Sequence, residues 1–412
     1  MGIRAGSFST PASTGSMTVP VQWGFNPTWV FLLATSCTAD GTWQTGNSCL
    51  SRGIAARNTA GALDTFVHKL TFGASSACSS IGVDSTVEIS STLTALGTTP
   101  LVAAAVTGFT TSDFTLNFTT SSTGYKVFWI AGNDPAVYKD VTALGLQGLT
   151  WGHVATGAIL VGMSDTSGFP TPGVPQTWSP GGGSLWTGVF GMGKTGTGTQ
   201  DFISYGPCYN TGQQIIGLLR SSIWSYSSDV YAFGQVNLGT YTGLVSGTDI
   251  NVTGSGTGGT CGLLVFDGTS AAADEFSVAS TVSGQTIRTP GIDPDAVIFM
   301  GGHGANYIDN PAYTGVSFGV VTDAGDRWVV AAGNNWSSGA AQYQSTSESW
   351  ISGWAPHNAP SATKGTAVLS GGSVTTTTTN VGDPYYTLRY AAFGPGIPDS
   401  TIKVSMYQRF HE

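Results

Sequence analysis

The sequence contains one unit of roughly 130 residues that is repeated along the chain. One copy begins as FSTPASTGSMTVPVQWGFNPTWVFLL at Phe8, and another begins as FSVASTVSGQTIRTPGIDPDAVIFM at Phe276. Both pass through a Thr- and Ser-rich stretch to an Asn-Pro or Asp-Pro pair, which starts a turn because proline moves the preceding residue out of the helical region. The strands that follow, Trp29 to Leu33 and Ala296 to Met300, are continuously apolar, so we expect them to be buried on both faces.

The ends of the unit repeat as well, near Gly132, Gly268 and Gly394. Each end has a Thr- or Asn-rich strand, a turn containing glycine and a final apolar strand, which is the pattern of a hairpin. The second copy lacks the Asn-Pro turn but keeps the apolar strand Ala158 to Val161. The period is that of one β-sandwich. It predicts domains at 1–133, 134–268 (with a degenerate start) and 269–396, followed by a C-terminal arm at 397–412.

Composition favours strands over helices. The 412 residues include 59 glycines, only 9% of them are charged, and 40% are hydrophobic. Glycine and hydroxyl side chains disfavour long helices, whereas the hydrophobic fraction is too high for a disordered chain. The sequence therefore predicts an all-β protein of three tandem antiparallel β-sandwich domains, of the jelly-roll or immunoglobulin-like type, that arose by internal triplication.

Residues 188–195, GVFGMGKT, match the phosphate-binding pattern G-x-x-x-x-G-K-[ST]. That pattern needs a buried strand before the glycine loop and a helix after it, and the flanking residues indicate neither. We align Gly188 with Gly53 and Gly315 of the other copies, which lack the lysine. The stretch is therefore predicted to be a repeated strand, and Lys194 to have no nucleotide-binding role.

Few residues suit catalysis or metal binding. The five histidines hold no matching repeat positions, and no His or Cys pair has the spacing of metal ligands. His303 lies in a Gly-rich stretch that resembles a site, but such stretches occur throughout the chain. We predict no catalytic residue, no metal and no cofactor, and hence no enzyme. The five cysteines are predicted to be free buried thiols, with a loop closed by Cys37 and Cys49 as the alternative.

Charge and hydropathy exclude two classes of partner. The net charge is −9 and the basic residues are scattered singly, so no nucleic-acid interface is predicted. The longest apolar runs have the length of a strand, which predicts no membrane insertion. The first residues contain no apolar stretch of signal-peptide length, so we expect synthesis in the cytoplasm without a signal peptide.

Five tryptophans that we predict to lie in polar loops are the candidate binding residues: Trp43, Trp178, Trp336, Trp350 and Trp354. An exposed indole can stack on the apolar face of a sugar ring while neighbouring amides bind the sugar hydroxyls. Alternatively, such side chains cap the end of a sandwich or lie in a subunit contact, where aromatic residues are enriched. We favour packing or an interface and keep glycan binding as the second interpretation.

The first unit resembles a repeat module of tailed-bacteriophage virion proteins. The matching stretches are GSFSTPASTG from Gly6, GFNPTWVF from Gly24 and SDFTLNFTT from Ser112. The third unit matches in part, and the second departs in its first third. These motifs are structural, so the resemblance implies a β-sandwich and a place on the surface of a virion, with no catalytic residue to transfer.

We therefore expect a structural protein on the surface of a phage particle, either a minor tail or fibre component or a capsid decoration. The expected location is the virion, and the expected partners are further copies of the chain and other virion proteins. In the alternative, receptor-binding interpretation the partner is a host cell-surface glycan. Apolar and polar residues alternate from Ile402 to Tyr407, which predicts a strand in the C-terminal arm that pairs with a neighbouring subunit.

Overall fold

A computed structural model describes residues 2–22, 24–58, 60–73, 77–92, 97–98, 100–134, 136–142, 146–150, 155–165, 176–178, 186–194, 201–208, 213–219, 222–227, 235–244, 249–254, 258–267, 270–302, 313–335, 339–354, 362–382 and 387–395. Within these ranges the chain forms β-strands and no helix. The strands fall into three successive groups, which we call units 1, 2 and 3.

Unit 1 extends from Ile3 to Gly132 and builds two antiparallel sheets. Its strands are β1 (Ile3–Ser9), β2 (Gly15–Pro20), β3 (Trp29–Thr35), β4 (Gln44–Gly46), β5 (Ser48–Arg57), β6 (Leu63–Phe72), β7 (Ala77–Gly82), β8 (Val87–Ile89), β9 (Val102–Phe109), β10 (Asp113–Thr120) and β11 (Lys126–Gly132). The larger sheet has the order β1-β11-β3-β5-β6-β7, and the smaller sheet has the order β2-β10-β9-β8.

Unit 2 extends from Ala136 to Asp267. Its strands are β12 (Ala136–Thr142), β13 (Leu146–Thr150), β14 (Ala155–Asp165), β15 (Gln176–Trp178), β16 (Trp186–Lys194), β17 (Asp201–Cys208), β18 (Gln213–Leu219), β19 (Ser222–Ser227), β20 (Gln235–Leu244), β21 (Asp249–Gly254) and β22 (Gly258–Asp267). The sheets have the orders β12-β22-β14-β16-β17-β18 and β13-β21-β20-β19.

Unit 3 extends from Ser270 to Gly394. Its strands are β23 (Ser270–Ser277), β24 (Gln285–Arg288), β25 (Ala296–Gly302), β26 (Tyr313–Thr322), β27 (Arg327–Asn335), β28 (Gly339–Ser345), β29 (Trp350–Trp354), β30 (Ala362–Ser370), β31 (Ser373–Asn380) and β32 (Thr387–Gly394). The sheets have the orders β23-β32-β25-β26-β27-β28 and β24-β31-β30-β29.

The three units therefore share one strand order, with a larger and a smaller antiparallel sheet in each. The prediction of an all-β fold of antiparallel β-sandwiches is confirmed. Their origin by triplication and the domain boundaries at 133, 268 and 396 stay predictions.

The apolar residues form cores on both sides of the larger sheets. In unit 1, Leu32 and Phe114 belong to a cluster between the two sheets, and Phe299 and Val374 belong to the corresponding cluster of unit 3. On the opposite side, the larger sheets of all three units meet in one shared core. This explains why β3 and β25 are buried at every residue, as their continuously apolar sequences predict.

The pairing registers align the three units residue by residue. Residues that hold the same place in different units are structurally equivalent, and we call such residues level with one another. One row of paired residues on the first, last and third strands sets the alignment: Ile3, Gly132 and Trp29 in unit 1, Ala136, Phe266 and Gly157 in unit 2, and Ala271, Phe393 and Ala296 in unit 3. Counting from this row makes Gly53 level with Gly191 and Gly319.

The alignment of Gly53 with Gly188 and Gly315 is therefore wrong. The contacts of Gly53 and Gly319 give the physical reason. A Cβ atom would lie 1.8 Å from the carbonyl oxygen of Thr86 at Gly53, and 1.9 Å from that of Ser349 at Gly319. Glycine is needed here because the strand that enters the smaller sheet crosses directly over this position.

The stretch that matches the phosphate-binding pattern lies in a strand, as predicted, although the alignment behind that prediction is wrong. Residues 188–194 belong to β16, which pairs with β14 on one side and with β17 on the other. Backbone groups along this strand take part in the sheet ladders, so they do not form the loop that wraps a phosphate. Thr195 lies outside the described residues.

Asp295 follows the Asp-Pro turn of unit 3 and has a raised pKa. Burial, and after it the charges of Asp323 and Asp134, raises the pKa of Asp295 from 3.8 to about 6. Because the pKa is higher in the folded chain than in the unfolded chain, the folded state binds this proton more tightly. The carboxyl group therefore reduces stability progressively as the pH rises from 3.8 to about 6.

We expect Asp295→Asn to raise the free energy of unfolding by about 1 kcal/mol at about pH 8 and to leave it nearly unchanged at about pH 3. The effect is smaller than the full pKa shift implies, because the carboxyl is only partly buried and water screens part of its charge. Denaturant unfolding at both pH values measures it, with Asp84→Asn at an exposed carboxyl as the matched control. An equal effect of Asp295→Asn at both pH values would contradict the prediction.

Candidate functional site

Units 1 and 2 each pass a short strand to the edge of another unit. β4 of unit 1 extends the larger sheet of unit 3 by pairing with β28, and β15 of unit 2 extends that of unit 1 by pairing with β7. Thr45 lies opposite Ala341, and Thr177 lies opposite Cys78, which is level with Ala341. The same contact is thus made twice in one direction, and such head-to-tail contacts generate rings. The equivalent segment of unit 3, between β25 and β26, comprises residues 303–312 and lies outside the described residues.

Tyr343 is the centre of the side-chain contacts at the β4–β28 junction. Its ring centroid lies 4.9 Å from that of Trp43, the residue before β4. Its hydroxyl donates to Glu348 Oε2 at 2.7 Å and accepts a hydrogen bond from Lys364 Nζ at 2.6 Å. Lys364 Nζ also forms an ion pair with Glu348 Oε1 at 2.7 Å. A strand from unit 1 therefore covers a satisfied polar cluster of unit 3.

The protonation states of Glu348 and Tyr343 fit a structural role for this cluster. Burial tends to raise the pKa of Glu348, but hydrogen bonds from Lys364, Ser345 and Tyr343 outweigh it and hold that pKa below its ordinary value. Burial, and after it the hydrogen bond and charge of Glu348, raises the pKa of Tyr343. At neutral pH the phenol therefore stays protonated beside a charged carboxylate, and the buried ring is closed to a substrate.

We expect Trp43→Ala to loosen the β4–β28 junction and to lower the free energy of unfolding by about 1–2 kcal/mol, because a half-buried ring is lost from Tyr343. Trp43→Phe keeps an aromatic ring and is the matched control. Hydrogen exchange at the amides of residues 44–46 and 340–342 is the measurement, and only Trp43→Ala should accelerate it. Unchanged exchange in Trp43→Ala would show that backbone pairing alone holds the strand.

Three aromatic rings, one from each unit, meet in the shared core. The ring centroids of Trp29 and Phe266 lie 5.0 Å apart, and those of Phe266 and Phe393 lie 5.5 Å apart. Unit 1 has Gly132 at the level of these two phenylalanines, and a Cβ atom there would lie 2.3 Å from the Trp29 indole. The residues level with Trp29 are small, Gly157 in unit 2 and Ala296 in unit 3. In unit 1, the ring of Trp29 on β3 thus fills the space that phenylalanines on the last strand fill in units 2 and 3.

Arg52 and His68 are buried where unit 1 meets unit 3. The Arg52 guanidinium lies 5.8 Å from the ring centroid of Phe318, the residue level with Arg52, and it contacts His68 Nδ1. His68 Nε2 and the Ser79 hydroxyl are 2.7 Å apart. Burial, and after it the charge of Arg52, holds the pKa of His68 well below its ordinary value. Although serine and histidine are the residue types of a nucleophile and its base, these two are 0% exposed and closed to a substrate.

The structure accounts for two of the five candidate tryptophans. The prediction that Trp350 lies in a polar loop is wrong, because Trp350 begins β29, is 0% exposed and donates its indole N–H to Thr366 O at 2.9 Å. Trp43 is half-buried and packs on Tyr343. The loop prediction is also wrong for Trp178, which ends β15, and for Trp354, which ends β29. The side chains of these two residues lie outside the described part of the chain, as does all of Trp336. Glycan binding by these residues stays a prediction.

Four of the five cysteines are buried thiols that form no disulfide, as predicted: Cys37, Cys49, Cys78 and Cys261. Burial raises the pKa of Cys49 to about 11, which keeps this thiol protonated. The side chain of Cys208 and all of His303 lie outside the described residues. Within the described ranges, no three His, Cys, Asp or Glu side chains are grouped to hold a metal ion. The same ranges contain no helix long and apolar enough to cross a membrane.

Comparisons with known proteins do not place the chain in a family. No protein-family model matches it, and no curated protein sequence matches it. The solved structure of the LG1–3 region of the laminin α2 chain aligns with 94% of this chain and 96% of its own length, at 6% identity and a TM-score of 0.08. That likeness is too weak to support an argument about fold or function. The resemblance to phage virion modules therefore stays a prediction.

Proposed function

We propose that this chain is a structural protein on the surface of a bacteriophage particle and acts through protein contacts, not through catalysis. The observation that carries the proposal is the joining of three sandwiches of equal strand order around one core, with strands passed between units. Such a body presents three similar faces, which suits a position of local threefold symmetry in a shell or tail. The motifs that resemble virion modules support the same setting.

On this proposal the chain is made in the host cytoplasm and carried in the virion, as a minor tail or fibre component or a capsid decoration. Its partners are other virion proteins and further copies of the chain. The outward residues of the smaller sheets include Thr115, Asn117 and Thr377. Faces with hydroxyl and amide groups and little charge suit contacts with neighbouring proteins, since charged residues are depleted at the centre of interfaces.

Electron microscopy with gold-labelled antibodies against the purified protein tests the proposal on particles from the source culture. We expect gold on the particles, over the head for a decoration protein or on the tail for a tail or fibre component. Antibody preadsorbed with the purified chain is the control and should leave the particles bare. Particles without specific label, in a culture where the chain is detected by immunoblot, would overturn the virion proposal and leave glycan binding as the next function to test.

A further inference from the structure

A pocket of about 480 Å³ lies at the edge of the smaller sheet of unit 1. Ala103 and Ala105 of β9 contribute apolar surface to it, and Asp84 and Asn117 contribute polar groups. The volume is that of pockets that bind small ligands or a single side chain of a partner. The residues that line this pocket take no part in the inter-unit contacts described above.

Unit 3 shows what fills the same place there. Thr86 N–H donates to Ala104 O, and Ser349 N–H donates to Gly365 O, both at 2.9 Å. Because the two hydrogen bonds are the same, Thr86 is level with Ser349 and Ala104 is level with Gly365. Counting along the strands then makes Ala103 level with Lys364, and Ser85 level with Glu348.

Unit 3 therefore has a long aminoalkyl side chain where unit 1 has only a methyl group. The Lys364 ammonium is held by Glu348 at 2.7 Å and by the Tyr343 hydroxyl at 2.6 Å. In unit 1, the short side chains of Ala103 and Ser85 leave this volume open. The pocket of unit 1 thus lies where the alkylammonium side chain of Lys364 lies in unit 3.

The charges of the pocket favour a cation. Its lining residues include Asp84 and Glu88 and no Lys, Arg or His. Lys69 forms an ion pair with Glu88, and the Gly97 N–H donates to Glu88 Oε2 at 2.7 Å. Asp84 is exposed, and no described residue forms an ion pair with it. The lining therefore leaves one negative charge to be balanced, and it disfavours phosphate and other anions.

We propose that this pocket of unit 1 binds a primary ammonium group on a short alkyl chain, as in the lysine side chain of a partner protein. The alkyl stem lies along Ala103 and Ala105, and the ammonium group points toward Asp84 and the Ser85 hydroxyl. The inference does not depend on the particle setting, because it rests on the comparison of two units of the same chain.

Isothermal titration calorimetry of the full chain with n-pentylammonium chloride tests the inference. We expect saturable binding, at least tenfold tighter than that of 1-pentanol, with sodium chloride as the blank. Ala103→Lys combined with Ser85→Glu fills the pocket with the ion pair of unit 3 and should weaken binding at least tenfold. Asp84→Asn removes an exposed carboxylate and should weaken it about fivefold.

Three results would overturn the inference: no saturable binding of the amine, equal binding by the wild-type chain and the pocket-filling variant, or binding of neutral N-acetylglucosamine in preference to the amine. Unfolding midpoints establish that each variant is folded. If the double variant does not fold, Asp84→Asn decides the question, since its side chain is exposed and unchanged amine affinity in this variant contradicts the proposed contact.

Discussion

Trp29→Ala should lower the free energy of unfolding by about 3–5 kcal/mol, and adding Gly132→Phe to it should restore most of that loss. Trp29 is 1% exposed, and its ring fills the place in the shared core where units 2 and 3 have Phe266 and Phe393. Truncation leaves a cavity among three larger sheets that cannot all move inward. The buried indole Nε1 has no hydrogen-bond partner among the described residues, so the ring acts through its shape.

The restoring substitution copies unit 3, where Ala296 pairs with Phe393 at the same level. Gly132→Phe alone should be destabilising by about 1–3 kcal/mol, because a Cβ atom at Gly132 would lie 2.3 Å from the Trp29 indole. In the Trp29→Ala background that conflict is absent, and the new ring takes the space next to Phe266. The two changes should therefore be strongly non-additive.

Guanidinium unfolding of the wild-type chain, both single variants and the double variant measures this coupling. Gly108→Ala is the matched control for adding a side chain to a sheet glycine, since a Cβ atom there meets nothing within 4 Å. It should change the free energy of unfolding by no more than about 0.5 kcal/mol. A double variant whose loss equals the sum of the two single losses would show that Trp29 does not stand in for the missing ring.

Local sequence signals predicted the sandwiches and their central strands. The Asn-Pro and Asp-Pro turns and the continuous apolar runs mark β3 and β25, and every residue of these strands is buried. Such local signals could not predict that β4 pairs with β28. Three residues, Gln44–Gly46, are too few to show an alternating pattern, and their partners Ala340 to Gln342 lie far along the chain.

The errors have the same origin in contacts between distant segments. Gly53 was aligned with the wrong glycines because glycine is so frequent, and only the crossing of Thr86 over Gly53 shows why that position needs glycine. Trp350 has polar neighbours in the sequence, yet both sheets of unit 3 enclose it. Arg52 was not singled out, because the ring that it faces, Phe318, belongs to another unit.

Lys69 and Glu88 form an ion pair in which the side chains are 0% and 2% exposed, and either Lys69→Met or Glu88→Leu alone should cost about 3–5 kcal/mol. Each single substitution removes the opposite charge from a buried ammonium or carboxylate group. Lys69 also donates to the Ser90 hydroxyl at 3.0 Å, but a neutral hydroxyl does not balance an ammonium charge.

The double variant Lys69→Met/Glu88→Leu should recover most of this loss and lie within about 2 kcal/mol of the wild-type free energy of unfolding. Unit 3 supplies the reason, since the residues level with Lys69 and Glu88 are Ala331 and Ile351, members of an apolar cluster. The fold therefore accommodates a neutral pair at this place. Gly97, which donates to Glu88, is exposed, so water can take over its N–H.

A double-mutant cycle in guanidinium measures the coupling between Lys69 and Glu88, and we expect it to exceed about 3 kcal/mol. The Lys126–Asp40 pair is the control, because its side chains are 31% and 36% exposed. The corresponding cycle of Lys126→Met and Asp40→Leu should give a coupling below about 1 kcal/mol, since water screens these charges in the folded chain. Equal couplings in the two cycles would contradict the prediction that burial strengthens the Lys69–Glu88 pair.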